Sequence, residues 1–243
     1  MHKNKLFVLG IPVNLSDNYL AEVKKLVGGH IITLNAEMVM LARQNIELAE
    51  IINQAELVVP DGSGVVLYGR SLGYEIHRCP GIELAAEMLS YASKVGLKVF
   101  FIGANPEVSI RNLAYWLKEL PGLKIVGCFN GYFDQAEEAK ILEQIKTTQP
   151  HFIFVALGVP KQEIWIHKNR TVCPQALWMG VGGSFDVWAG VKKRAPQWMG
   201  QMHLEWFYRL LQEPWRWRRM LVLPQFIWQS LLEVLVKKPP KTN

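Results

Sequence analysis

Four aspartates occur in the chain, Asp17, Asp61, Asp134 and Asp186, and Asp61 stands where a base is wanted. It follows the apolar run Leu57–Val59 and precedes Gly62 and Gly64. A carboxylate at a strand tip on a pocket rim can take the proton of a hydroxyl. The same carboxylate can instead cap the next helix or order the turn. Thr33 and Asn35 end another apolar run, Ile31–Leu34; they suit ligand hydroxyls or simple capping of a helix starting at Ala36. Gly180-Val181-Gly182-Gly183-Ser184 is a glycine-rich strand-to-helix turn with Asp186 just beyond. Exposed backbone N–H groups in such a turn favour a phosphate, although such turns are also frequent as plain structure. It is neither a Walker loop nor a dinucleotide fingerprint. In Gly158-Val159-Pro160-Lys161-Gln162-Glu163, Lys161 and Gln162 open a helix, facing either a ligand at the sheet edge or solvent.

Metal chemistry has little to build on. The six histidines form no H-E-x-x-H; Glu163 and His167 share a helix face, and two such residues without a third read as an ordinary polar pair. No D-x-D pair exists to hold a divalent ion on a diphosphate. A bound diphosphate would then need guanidinium groups, and Arg209, Arg216, Arg218 and Arg219 are available. Membrane contact or a solvated face is the alternative for these four, and the preferred one for Arg218.

These residues need a scaffold, and the 243-residue chain encodes an alternating one. Apolar runs read as strands at Leu6–Leu9, Ile31–Leu34, Leu57–Val59, Val99–Ile102, Ile125–Cys128, Phe152–Leu157 and Leu177–Val181. Helical patterns fall between them at Ala36–Gln54, Gly81–Val95, Pro106–Glu119, Gln135–Thr147 and Lys161–Asn169. The expected fold is α/β: a Rossmann-like, largely parallel sheet with helices on both faces, plus a helical C-terminal appendage. Ligands bind such sheets at the carboxyl ends of the strands, where the polar clusters fall. The first strand lacks the glycine fingerprint of a dinucleotide oxidoreductase, having Leu9-Gly10-Ile11-Pro12 instead.

Composition divides the chain into a body, residues 1–191, and an appendage, residues 192–243. Up to Trp188 there are 17 Lys+Arg against 18 Asp+Glu; from Ala189 there are 10 against 3, with five of the nine tryptophans. A basic, Trp-rich segment suits an anionic membrane surface or a pyrophosphate-bearing partner, whereas no nucleic-acid motif is present. Two helices are expected there, 198–212 and 215–236, with Pro214 opening the second. The run Met220–Val236 is interrupted by Pro224, Gln225, Gln229, Ser230 and Glu233 and falls short of the ~20 clean residues of a membrane span. Three scattered cysteines and no leader-like N-terminus point to a reducing cytoplasm.

In their order, Thr33-Leu34-Asn35-Ala36-Glu37, Asp61-Gly62-Ser63-Gly64, Arg78-Cys79-Pro80-Gly81, Gly158–Glu163, Gly180–Asp186, Arg194-Ala195-Pro196, Leu204–Leu210 and Glu213–Arg216 resemble the WecG/TagA/CpsF glycosyltransferase family. Ala36 and Cys79-Pro80 depart from the usual pattern beside the sugar pocket and bear on donor identity. The resemblance implies an inverting, metal-independent enzyme without cofactor, moving a hexose or N-acetylhexosamine-type sugar from a UDP-sugar to a polyprenyl-diphosphate-linked sugar. Known members transfer N-acetylmannosamine, its uronic acid, or glucose. Asp61 then corresponds to the general base, with Thr33, Arg78 and Gln162 beside it. Asn35, Gly182, Gly183 and Asp186 correspond to substrate-binding positions, and Arg209, Arg216 and Arg219 to groups closing over the diphosphate. The implied location is the inner face of the plasma membrane, and a homo-oligomer is left open. The competing readings are a transferase with a soluble acceptor and a non-catalytic UDP-sugar-binding regulator.

Overall fold

The computed structural model describes residues 5–236 apart from His203, without the side chains of Gln197, Gln201, Arg209, Arg216 and Arg219. Strands β1 (Lys5–Val8) and β2 (Ile11–Asn14) form an antiparallel hairpin. The other six are β3 (Gly29–Leu34), β4 (Leu57–Pro60), β5 (Lys98–Gly103), β6 (Lys124–Phe129), β7 (Phe152–Ala156) and β8 (Leu177–Gly180). They make one parallel sheet in the order β4-β3-β8-β7-β5-β6. Continuous apolar runs such as Phe152–Ala156, buried along their whole length, are what a sheet covered on both faces requires.

The first expected strand belongs to the hairpin, not to the parallel sheet. Leu9 and Gly10 turn the chain with φ of 49° and 88°, the positive values that two-residue hairpin turns need. Pro12 masked β2 in the sequence, since proline is tolerated only at sheet margins. The hairpin flanks β4, where the Val58 N–H donates to Asn14 Oδ1 at 2.8 Å.

Helices pack on both faces. One face carries Ala36–Ala42, Ile46–Gln54, Ser63–Ser71, Gln135–Thr148 and Lys161–Asn169. The other carries Tyr19–Lys25, Gly81–Val95, Pro106–Glu119 and Ser184–Trp188. The expected helix over 36–54 is broken near Arg43, because Asn45 caps a second helix by accepting from the Leu48 N–H at 3.0 Å. Helix Ser63–Ser71 went unread, since Gly62 and Gly64 signal a turn.

Beyond Trp188 the chain forms short helices, Gln197–Gln201, Glu205–Gln212 and Trp217–Met220, with a 3-10 turn at Pro214–Arg216, before the longer helix Val222–Val236. The two expected appendage helices are therefore each divided. The boundary expected at residue 192 lies between helices Ser184–Trp188 and Gln197–Gln201. Helix Val222–Val236 lies on the body against helices Ala36–Ala42 and Ser63–Ser71. Phe226, only 3% exposed, seals that contact above Ala36 and Gly64. The outer side of the same helix presents Ile227, Trp228, Leu231, Leu232 and Leu235 to solvent. Among the described residues no helix is long and apolar enough to cross a membrane.

Candidate functional site

A crevice opens at the carboxyl ends of β3, β4, β7 and β8, where β3 and β8 are sheet neighbours far apart in sequence. Thr33, Asn35, Asp61, Arg78, Gln162, Gly182 and Gly183 all line it. The sequence signals from five separate segments thus converge on one place.

Asp61 is fixed from three sides. Its N–H donates to the Leu34 carbonyl at 3.0 Å, and its own carbonyl accepts from Arg78 Nε at 2.7 Å. Its Oδ1 accepts from the Gly81 N–H at 2.8 Å. Gly81 opens the 15-residue helix Gly81–Val95, so the carboxylate faces the positive end of that helix. Asp61 does not cap the helix that follows it; the residue there is Gly62, with no side-chain cap bond. Close approach explains two glycines. A Cβ on Gly62 would lie 2.7 Å from Asn35 Cβ, and one on Gly81 would lie 2.7 Å from Thr33 Cγ2. The tips of β3 and β4 and the start of helix Gly81–Val95 are thereby pressed together around the carboxylate.

Asn35 lines the crevice and also caps helix Ala36–Ala42, its Oδ1 accepting from the Met38 N–H at 2.9 Å. Arg78 donates through its second terminal nitrogen to Glu205 Oε2 of the appendage. Burial opposes the Arg78 charge, but the Glu205 carboxylate, helped by Asp61 and Glu83, more than offsets this and raises its pKa. Burial, with Asp61 and then Glu87 and Glu83 nearby, pushes the Cys79 thiol up to about 12, which favours its neutral form.

On the opposite wall, the Gly182 N–H donates to Gln162 Oε1 at 3.1 Å and the Ser184 N–H to the Val181 carbonyl at 3.1 Å. The glycine-rich turn closes on itself. Gly182 gives the crevice a wall without a side chain, not the exposed N–H that its sequence suggests. The helix after Gly183 has only five residues. Lys161 points to solvent and does not line the crevice, whereas Gln162 is buried and does. Glu163 turns inward, away from a pairing with His167, and its Oε2 lies 2.7 Å from His30 Nε2 on β3. Among the described residues no three His, Cys, Asp or Glu side chains gather to hold a metal ion.

Asp186 stands behind the crevice and pairs with Lys192 Nζ at 3.0 Å; the same nitrogen is 3.1 Å from Glu213 Oε1. Burial lowers the Lys192 pKa, and the bonds to Asp186 and Glu213 more than reverse that. Arg194 pairs with Glu83. Lys192, Lys193, Arg194, Glu205 and Glu213 line the crevice and were missed as site residues, although the change of composition at Lys192-Lys193-Arg194 marks them. Arg209, Arg216 and Arg219 belong to helix Glu205–Gln212, the 3-10 turn Pro214–Arg216 and helix Trp217–Met220, and their side chains lie outside the described part of the structure.

A parallel sheet with a polar crevice at its carboxyl edge, lined by the carboxylates of Asp61, Glu205 and Glu213 and the cations of Arg78, Lys192, Lys193 and Arg194, defines an α/β protein with a charged cleft where such sheets take ligands. Comparison with known proteins sharpens that class. Residues 7–240 match the family model described as "Glycosyl transferase WecG/TagA/CpsF family", and the chain belongs to that family of glycosyltransferases. A protein of Bacillus spizizenii is 39% identical over 215 residues, covering 88% of this chain and 82% of its own length. One from Bacillus subtilis is 37% identical over 213 residues, with coverages of 87% and 82%. Both are named N-acetylglucosaminyldiphosphoundecaprenol N-acetyl-beta-D-mannosaminyltransferase.

Proposed function

We propose that this glycosyltransferase moves N-acetylmannosamine from a UDP-sugar to N-acetylglucosamine carried on a polyprenyl diphosphate, in cell-surface polymer synthesis. The observation that carries this reading is the anchored Asp61 carboxylate at the crevice floor, tied to Arg78 in a crevice that Lys192 also lines. The relatives' names supply the sugar and the acceptor.

In this reading the acceptor hydroxyl loses its proton to the Asp61 carboxylate as its oxygen attacks the anomeric carbon. The bond between that carbon and the β-phosphate oxygen breaks, and UDP leaves with the electron pair. A single displacement on an α-linked donor inverts the centre and gives the beta linkage of the relatives' names. Thr33 and the Asn35 amide border the sugar, while Gly182 and Gly183 leave space beside it. The charge on the departing diphosphate is met by Arg78, Lys192 and the appendage arginines Arg209, Arg216 and Arg219, without a metal.

The acceptor's lipid places the reaction at a bilayer. The exposed face Ile227, Trp228, Leu231, Leu235 and the basic residues that flank this helix in sequence support docking of the appendage on the anionic cytoplasmic surface. The test is a panel of UDP-sugars with a short polyprenyl-diphosphate N-acetylglucosamine, the product being identified by mass. Addition of one N-acetylhexosamine from UDP-N-acetylmannosamine is expected. Bound UDP with no sugar transferred from any donor would instead mark a nucleotide-binding regulator.

A further inference from the structure

A histidine and a glutamate are buried in the middle of the molecule with no part in the chemistry above. His30 on β3 is 1% exposed and Glu163 on helix Lys161–Asn169 is fully buried, with His30 Nε2 and Glu163 Oε2 2.7 Å apart. Taking two ionisable groups out of water is costly, and a well-packed apolar pair of similar volume is often no less stable. Stability therefore gives little reason for this pair.

Its other contacts supply one. Glu163 Oε1 accepts from Gln162 Nε2 at 2.9 Å. Gln162 Oε1 then accepts from two backbone donors, the N–H of Gly158 and the N–H of Gly182, both at 3.1 Å. A carboxylate offers only acceptors and a backbone N–H only a donor, so the Gln162 amide fits in one orientation. The two glycines lie in the loops after β7 and β8, at φ of 78° and 49°, and both line the crevice. Gly180 is also accounted for, because a Cβ there would run into the Gln162 and Glu163 side chains. The chain of contacts runs from the sheet interior to two crevice walls: His30 Nε2 stands against Glu163 Oε2 as a close charge contact, and from Glu163 outward each link is a hydrogen bond with its donor and acceptor matched.

We propose that His30 and Glu163 are positioning residues, a buried relay that orients Gln162 so that its oxygen pins the Gly158 and Gly182 loops against each other. Gln162 then shapes the crevice through the backbone, and its side-chain oxygen is spent on that task. The kinetic consequence rests on the crevice being the transfer site; the structural consequence does not.

The experiment compares wild type, Glu163→Leu, Glu163→Gln and Gln162→Met, without ligand and in turnover. Glu163→Leu removes the acceptor at similar size, and Glu163→Gln keeps an oxygen for Gln162. Gln162→Met deletes the acceptor for both glycines and keeps both His30 and Glu163, while also taking the Gln162 donor from Glu163 Oε1. Amide hydrogen exchange in the ligand-free protein should speed up by about tenfold or more at Gly158 and Gly182 in Glu163→Leu and Gln162→Met, with the interiors of β7 and β8 unchanged. Glu163→Gln should retain most of the protection. In turnover, kcat should fall on the order of 10- to 100-fold in Glu163→Leu, with the donor KM little changed, and recover in Glu163→Gln. The double variant Gln162→Met/Glu163→Leu should lose little beyond the single variants. Unchanged exchange at Gly158 and Gly182 in Gln162→Met overturns the proposal even if Glu163→Leu does not fold. Fully additive kinetic losses overturn it as well. If wild type transfers no sugar, the functional reading fails while the exchange rates still decide the relay.

Discussion

The crevice has two sides that are held together by different physics. The sheet side is fixed by backbone: Asp61 is tied to Leu34, Gly81 and Arg78, and Gly62 and Gly81 allow contacts that no larger residue permits. The appendage side is attached to the crevice by side-chain ion pairs, Arg78 with Glu205, Lys192 with Asp186 and Glu213, and Arg194 with Glu83. Backbone bonds in a glycine-packed corner leave a base little freedom. Ion pairs that are partly exposed are screened by salt and contribute little individually. In the proposed reading, the difference sets a rigid chemical floor against a cover held by charge. Among the described residues, Phe226 with Val222, Leu223 and Val234 joins the appendage to the apolar core of the body, and Met199 is buried as well.

This contrast can be broken at either side. The largest effect is expected on the floor: Asp61→Asn keeps size and removes basicity, and should reduce turnover by ~10²- to 10⁴-fold while UDP binding, measured by calorimetry, stays close to wild type. Near-normal turnover would sink the assignment of the base. On the cover, Arg216→Ala should lower turnover by ~10- to 10³-fold with vesicle binding largely kept. A loss confined to vesicle binding would make that arginine a membrane contact only.

The anchor should register in stability, not chemistry. Phe226→Ala opens a cavity over Ala36 and Gly64 and should cost about 3–5 kcal/mol in denaturant unfolding. A negligible change would mean that the helix does not stay on the body in solution. The same burial bears on deletion of the whole appendage, which would strip an apolar seam and confuse loss of folding with loss of docking. Serine at Trp228 and Leu231, both exposed, is the cleaner probe. It should weaken binding to anionic vesicles and slow transfer to a bilayer-embedded acceptor, with transfer to a water-soluble acceptor kept. The smallest effect is expected from chelation: EDTA should leave the rate essentially unchanged, and collapse followed by rescue with magnesium or manganese would refute metal independence.

Much of the floor was legible in the sequence because parallel strands end where their apolar runs end. Asn35, Asp61, Gly158 and Gly182 are each the first polar or glycine positions past such a run, and Thr33 is the next-to-last residue of one, so their convergence follows from the fold class. Partners across the sheet were not legible. Glu163 reads with His167 at helical spacing, yet pairs with His30, 133 positions earlier in the chain, because tertiary packing turns that helix face inward. Asp61 finds its donor at Gly81, twenty residues on, through a helix whose entry the sequence gives but whose direction it does not. Ion pairs such as Lys192 with Glu213 depend on how short helices fold back, and local pattern carries no signal for that. The β1–β2 hairpin was lost for a local reason, a proline in its second strand.

The anomeric configuration of the product tests the central claim most directly, because it reports on how many displacements occur at the crevice floor. The linkage formed by wild type from an α-linked UDP-N-acetylmannosamine is read by proton and carbon NMR. A single displacement assisted by Asp61 gives a beta linkage. An alpha linkage would mean that the configuration is retained, and would contradict Asp61 as the general base of an inverting transfer.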